Sequence, residues 1–148
     1  PQRHALLSAV TLQATLAQLE SLASGSAICH GDLGPPNIIM ADEGPVIIDW
    51  VDAAAGAPAA DVARSVLLSK LALLPFELDA ETQQQIDQMR EAFSNIYLEK
   101  YLALTSTTMD EVDEWMKPVA AARMIDEAIP QEEKRLLSQL VQGETPAP

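Results

Sequence analysis

The chain has 148 residues, of which 48% are hydrophobic and 21% are charged, the balance of a globular chain and not of a disordered one. Its 9 basic and 22 acidic residues leave a formal charge of −13, which repels phosphate backbones and anionic lipid, so we expect no nucleic-acid partner and no membrane partner. The single cysteine, Cys29, excludes an internal disulfide and a cysteine-rich zinc site, and it fits a reducing, cytoplasmic compartment.

The N-terminal third of the chain predicts one helix followed by short strands. Leucines at helical spacing predict a helix over 4–23, within a helical segment 1–25 that ends at a Ser-Gly-Ser stop. Short apolar runs then predict three strands, of which the second and third form a hairpin around an Asp/Gly turn: 27–29, 38–40 and 46–48. The small residues of 53–58 are expected to form a loop. The segment 27–57 is therefore a small β insert in a mainly α chain.

The segment 58–142 is predicted to be helical throughout. Residues 59–74 are apolar on nearly every side, apart from a polar stripe, and predict a buried central helix that ends at Pro75. An amphipathic helix is predicted over 80–104, and Thr108 with Glu111 has the spacing of a capping box that begins the next helix. Pro118 and Pro130 are expected to divide the remainder into two more helices before a tail at 143–148. We expect a single domain over 1–148.

Three polar side chains stand where the predicted strands meet loops: Asp32, Asn37 and Asp49. The hairpin is expected to fold Asp49 back beside Asn37. A carboxylate and an amide oxygen that converge in this way form the hard-oxygen site that Mg²⁺ prefers when substrate phosphates complete its shell. Asp32 is then left beside the metal, as a carboxylate able to accept a proton from an attacking hydroxyl.

Each of these residues also has a plainer interpretation. Asp32 and Asn37 belong to residue types that commonly form turns in loops rich in Gly and Pro, and Asp49 could serve only to end an apolar strand. His30 could lock its loop through hydrogen bonds, and Asp61 could anchor the loop or cap the helix in which it lies. The ordered spacing of the polar residues favours the chemical interpretation of Asp32, Asn37 and Asp49.

A base Asp, an Asn ligand and a second metal-binding Asp follow one another in the catalytic template of kinases. Here three motifs together resemble the aminoglycoside phosphotransferase and choline-kinase-like family over about residues 27–66: His30-Gly31-Asp32 with Asn37, Ile48-Asp49-Trp50, and Gly56 with Asp61-Val62-Ala63. Family members often carry His and Gly where this chain has Gly34-Pro35-Pro36, a departure that leaves the substrate contacts of the loop open.

The resemblance implies the C-terminal, catalytic lobe of a protein-kinase-like fold. It implies an ATP-dependent (or GTP-dependent) phosphotransferase that acts on a hydroxyl of a small molecule. Residue by residue, it implies Asp32 as catalytic base, Asn37 and Asp49 as Mg²⁺ ligands, and His30 as the organiser of the cofactor-binding loop. The acidic excess, most of it in residues 75–148, suits a cationic acceptor such as an aminoglycoside.

The chain also lacks features that such kinases use to bind nucleotide. It has six glycines and no glycine-rich loop, and its first lysine is Lys70, so we expect a C-terminal lobe without the N-terminal nucleotide-binding lobe. The isolated chain is then expected to be inactive, to bind ATP poorly and to self-associate through an apolar surface near the hairpin. The alternative is a non-catalytic kinase-like binding module or an inactive truncated fragment.

Overall fold

The computed structural model describes residues 7–74 and 76–146. In that part of the chain the helices are α1 (Ala9–Ser21), α2 (Pro58–Leu71), α3 (Ala80–Leu104), α4 (Met109–Arg123) and α5 (Gln131–Gln142). The strands are β1 (Ala27–Cys29), β2 (Ile38–Ala41), β3 (Gly44–Ile47) and β4 (Ala54–Gly56). Single 3₁₀ turns occupy Pro35–Asn37 and Trp50–Asp52. The prediction of a mainly helical chain with a small β insert is confirmed.

Helix α2 forms the centre of the core, as predicted. Val62, Ala63 and Leu67 are buried, and side chains from α3, α4 and α5 pack around them. Of the polar stripe of this helix (Asp61, Ser65 and Ser69), the two serines are buried too, and Ser69 donates its hydroxyl hydrogen to the carbonyl of Ser65 at 2.9 Å. Helix α2 ends at Leu71, whereas the predicted end, Pro75, lies outside the described residues. A helix buried on nearly all sides can position polar side chains at its first turn with little freedom to move.

The strands form two separate antiparallel pairs. The predicted hairpin is confirmed as β2 and β3, in a register that pairs Ile38 with Ile47. The prediction of a loop over 53–58 is wrong in part, because β4 lies within it and pairs with β1, Cys29 opposite Ala54. Alanine and glycine are poor strand formers by propensity, so only the presence of β1 beside this segment makes it a strand.

The first helix differs from its prediction at both ends. It begins at Ala9, where the hydroxyl of Ser8 accepts a hydrogen bond from the Thr11 amide at 3.0 Å, and it ends at Ser21. Residues 1–6 of the predicted segment lie outside the described residues. The leucines that predict the helix remain exposed on its surface, and Thr15 is the buried residue of α1. Helix α1 therefore contributes little to the core.

Pro118 does not end a helix, contrary to the sequence-based expectation. It lies buried inside α4, which continues to Arg123. A proline has no amide hydrogen for the carbonyl four residues before it, which here belongs to Glu114. That carbonyl instead accepts a hydrogen bond from the side-chain amide of Gln18 in α1, at 2.7 Å. A tertiary contact thus replaces the missing bond within the helix.

The other helix boundaries agree better with the sequence. The capping box is present, because the Glu111 amide donates to the Thr108 hydroxyl at 3.3 Å and the Thr108 amide donates to the Glu111 carboxylate at 2.8 Å. Pro130 precedes α5, which ends at Gln142 and is followed by Gly143 in the left-handed conformation. On α3, part of the predicted apolar face is exposed. Among the described residues, no helix combines the length and apolar character that crossing a bilayer requires.

Candidate active site

The loop after β1 is held by two side chains from the first turns of α2. The carboxylate of Asp61 accepts hydrogen bonds from the amides of His30 and Gly31, each at 2.8 Å. Arg64, one turn further along α2, donates its Nε hydrogen to the carbonyl of Gly31. Gly31 has a φ of +82°, and a Cβ there would lie 2.8 Å from the carbonyl oxygen of Asp52. Only glycine fits this position. The backbone that leads into Asp32 is therefore held by the α2 side chains on one side and restricted by Asp52 on the other.

His30 connects this loop to the end of the hairpin. Its ring is buried, with Nε2 2.9 Å from the carbonyl oxygen of Ile48 and Nδ1 accepting the Asp32 amide hydrogen at 3.2 Å. Because Nδ1 accepts, Nε2 carries the hydrogen and donates it to Ile48. The ring also packs on Trp50, with the centroids 4.6 Å apart. Both ring nitrogens are thus engaged within the protein, and the contribution of His30 to cofactor binding stays a prediction.

Asp32 and Asn37 are in direct contact. The side-chain amide of Asn37 donates to the carbonyl of Asp32 at 2.7 Å and to its carboxylate Oδ2 at 3.1 Å. These two acceptors fix the orientation of the Asn37 amide and leave its Oδ1 without a hydrogen-bond partner among the described residues. The segment between them contains the 3₁₀ turn, in which the Asn37 backbone amide donates to the Gly34 carbonyl at 2.9 Å. This turn brings Asn37 back toward Asp32. The structure therefore brings together two of the predicted site residues.

Asp49 directly follows Ile48, the residue whose backbone is hydrogen-bonded to Asn37. The amide of Ile48 donates to the carbonyl of Asn37 at 3.0 Å, which extends the hairpin pairing by one step and ends it at Asp49. Asp49 has φ 61° and ψ 59°, and no other non-glycine residue in 7–74 and 76–146 has a positive φ. Its exposed carboxylate has no hydrogen-bond partner in the described part of the chain. Unusual backbone conformations of this kind concentrate at functional sites.

A family model described as APH, the phosphotransferase enzyme family, matches residues 2–115. The chain belongs to this phosphotransferase family. The match confirms the resemblance to aminoglycoside phosphotransferases, and its span includes the whole loop, the hairpin and α2. Comparisons with curated proteins and with solved structures gave no match. Residues 116–148, which include α5, lie outside the family match.

Beside Asp32 and Asn37 the phosphotransferase chain has a cavity of about 310 Å³, at the lower end of the range of small-molecule sites. Its walls come from the loop 32–37, from α2 and the segment after it, from α3 and from the end of α4. Most of the lining is apolar, and two arginines, Arg90 and Arg123, also face it. The cavity is large enough for a small molecule beside Asp32.

Sequence reasoning missed several residues that shape this candidate site. Arg123 donates to the carboxylate of Glu133 at 3.0 Å, and Glu133, 1% exposed, also accepts the amide hydrogen of Leu73 at 2.8 Å. Arg64 lies on α2, which is apolar on nearly every side, and Arg90 lies half-buried on α3. An arginine within such a helix was the available signal, because a charge that becomes partly buried requires a partner.

In the described part of the chain, neither the single cysteine nor a cluster of metal-binding side chains adds further chemistry. Burial raises the pKa of the Cys29 thiol, and the nearby Asp61 carboxylate raises it further, which disfavours the thiolate form that nucleophilic chemistry requires. Within residues 7–74 and 76–146, no cluster of three or more His, Cys, Asp or Glu side chains could hold a metal ion. A metal site built on Asn37 and Asp49 would therefore need ligands from a substrate and from water.

Proposed function

We propose that this chain is the catalytic lobe of a kinase-like phosphotransferase that moves a phosphoryl group from ATP, or from GTP, to a hydroxyl of a small molecule. One observation carries the proposal: in a chain of the phosphotransferase family, Asn37 donates to both the carbonyl and the carboxylate of Asp32. This contact joins the proposed base to the proposed metal ligand in one rigid unit. The loop that carries both is held from α2 by Asp61.

Asp32 is the base in this proposal. Its Oδ2 is bound by Asn37, whereas Oδ1 has no hydrogen-bond partner among the described residues and is available to an acceptor hydroxyl. The hydrogen bond from Asn37 restricts the carboxylate, and the hydrogen bond that the Asp32 backbone amide donates to His30 Nδ1 restricts the backbone, so that the geometry is set before substrate arrives. A positioned general base contributes about 10²–10⁴-fold to rate.

Asn37 and Asp49 are the proposed ligands of Mg²⁺. The free Oδ1 of Asn37 and the unpaired carboxylate of Asp49 are hard oxygen donors, the type that Mg²⁺ prefers. Bound Mg²⁺ would neutralise charge on the transferred phosphates. The left-handed backbone of Asp49 turns the chain directly after the hairpin pairing ends, and this supports a role in placing its carboxylate.

Two variants separate these roles in the protein made from the complete reading frame that encodes this chain. Asp32→Asn keeps size and loop hydrogen bonding but removes the base, so kcat should fall about 10²–10⁴-fold with nucleotide affinity retained. Asp49→Ala should weaken Mg²⁺-nucleotide binding as well as the rate. The measurements are steady-state kinetics and a separate calorimetric titration with nucleotide. Equal loss of nucleotide affinity in both variants would show that Asp32 is a ligand and not the base.

We also propose that the 148-residue chain by itself binds ATP weakly and transfers phosphate slowly, because it contains no glycine-rich loop. Micromolar ATP affinity of the isolated chain in calorimetry would contradict this. The exposed apolar side chains Ile39, Met40 and Val51 near the hairpin support self-association of the chain. Sedimentation that shows a strict monomer at high concentration would contradict that part. Absence of transfer from the complete protein would favour a non-catalytic binding module.

A further inference from the structure

The charge of the cavity beside Asp32 differs from the charge of the whole chain. The chain is strongly acidic, yet among the described residues that line the cavity Asp32 is the only acidic one, against two arginines. A polycationic acceptor would need several carboxylates around its amines. The cavity therefore offers little to the cationic acceptor that the overall charge of −13 suggests.

The two arginines are not equivalent. The charge of Arg123 is already neutralised within the protein, because its Nε contacts Glu133 at 3.0 Å and its Nη1 contacts Asp126 at 3.4 Å. Arg90 has no carboxylate within ion-pair distance anywhere in residues 7–74 and 76–146, and its hydrogen bond goes to the carbonyl of Ala72 at 2.7 Å. That single bond orients the guanidinium and leaves its other N–H donors for a ligand.

The wall beside Arg90 is apolar. Leu68 from α2, Leu74 from the segment after it, and Ile86 and Met89 from α3 all line the same cavity as Asp32. A ligand in this space would thus have a hydroxyl near Asp32, an aliphatic body along these side chains and a negative group at Arg90. Arginine suits a carboxylate because its planar fork can donate two parallel hydrogen bonds.

We propose that the acceptor is a hydroxylated aliphatic carboxylic acid whose carboxylate binds Arg90. This inference rests on the proposed function, since it names the substrate class of the same site. Asp32 takes the hydroxyl proton, the oxygen attacks the terminal phosphorus of the nucleotide, and the bond from that phosphorus to the bridging oxygen breaks. The products are a phosphate monoester of the acid and the nucleoside diphosphate.

The test is a binding titration of the 148-residue chain, followed by ¹H–¹⁵N correlation spectra that include the Arg90 Nε–H signal. Three probes of equal chain length differ only in the group at C1, which is negative, neutral or positive: 3-hydroxyoctanoate, octane-1,3-diol and 1-aminooctan-3-ol. The acid should bind about tenfold or more tightly than the diol, since a hydrogen bond to a charged group is worth that factor. Shortening the acid to 3-hydroxyhexanoate should weaken binding roughly fourfold for each methylene removed.

Variants on α3 assign the effect to Arg90. Arg90→Gln should remove the preference for the acid and leave the diol unchanged, whereas Lys100→Gln, an exposed control on the same helix, should change neither. Arg90→Lys keeps the charge and a donor for Ala72, so it should fold and retain a reduced preference. If Arg90→Gln does not fold, the reduced preference of Arg90→Lys for the acid still tests the inference.

Equal affinity for the three probes, tightest binding of the amine, or no binding of the acid at millimolar concentration would overturn the inference. The titration requires neither nucleotide nor phosphoryl transfer, so its failure is separate from failure of the proposed function. Phosphotransfer that depends on Asp32 but shows no preference for acids would refute only the acceptor class. Selective acid binding at Arg90 without any phosphotransfer would refute only the proposed function.

Discussion

Removal of the Asp61 carboxylate tests whether this side chain holds the loop that follows β1. Asp61 lies one turn into α2 and accepts the amide hydrogens of His30 and Gly31, at 2.8 Å each. Asp61→Ala leaves both amides without an acceptor in a partly buried place. The substitution deletes no large apolar group, so its effect reports the two hydrogen bonds.

The magnitude follows from those bonds. A hydrogen bond to a charged group contributes about 1.5–3 kcal/mol, and two of them that share one carboxylate are not fully additive. We expect Asp61→Ala to lower the free energy of unfolding by about 3 kcal/mol, a large part of the total stability of about 5–15 kcal/mol that is usual for domains. Asp61→Asn keeps one acceptor oxygen and places a donor against the second amide, so its loss should be of similar size.

The assay is urea unfolding followed by circular dichroism at 222 nm, the standard signal of helix content. Asp79→Ala is the matched control, because Asp79 also accepts a backbone amide hydrogen, that of Thr82 at 2.9 Å, but on the surface at the start of α3. Asp61→Ala should lose clearly more stability than this control. Equal losses in the two variants would refute the inference that Asp61 anchors the loop.

Three further predictions concern other parts of the chain. Glu133→Ala should lower the free energy of unfolding by about 3 kcal/mol, because it leaves Arg123 without its buried partner; urea unfolding showing under a third of that loss would contradict it. Gly31→Ala should distort the loop, since its Cβ would lie 2.8 Å from the carbonyl oxygen of Asp52 at a φ of +82°. The amide shifts of residues 30–34 and of Asn37 in NMR spectra should then change while those of α5 stay constant, and unchanged loop shifts would contradict this. Burial raises the pKa of Tyr97 to about 12. The folded chain therefore keeps a phenol proton that the unfolded chain loses near pH 10. The free energy of unfolding should then fall as the pH rises from about 10 to 12. Tyr97→Phe should flatten this fall in unfolding experiments between those pH values, and an unchanged slope would show that the phenol is not responsible.

The sequence predicted the elements whose signals are local. The hairpin followed from short β-branched runs around a tight turn, and the capping box from the spacing of Thr108 and Glu111. The central helix followed from apolar residues on nearly every side. The motif with Asp32, Asn37 and Asp49 led to the phosphotransferase family, which the family match confirms; the individual roles of these residues stay predictions.

Where the signal was not local, the prediction failed or was absent. Ala54–Gly56 became a strand because β1 lies beside it, although its residues have low strand propensity. Pro118 remained inside α4, where Gln18 from a distant helix satisfies the carbonyl that the proline leaves free. No local sequence pattern indicates that β1 pairs with β4 or that α1 contacts α4.

By itself, the amino-acid sequence determined the family, because the order and spacing of the motif residues lie within one short stretch of chain. The tertiary structure decided how that stretch is held and what surrounds it. Asp61 and Arg64 bind the loop from α2, thirty or more residues further along the chain. Arg90 reaches the cavity only because α3 packs against α2. Charge summed over the chain suggested a cationic acceptor, whereas the field at Asp32 depends on the few side chains close to it, since water and salt screen the distant ones.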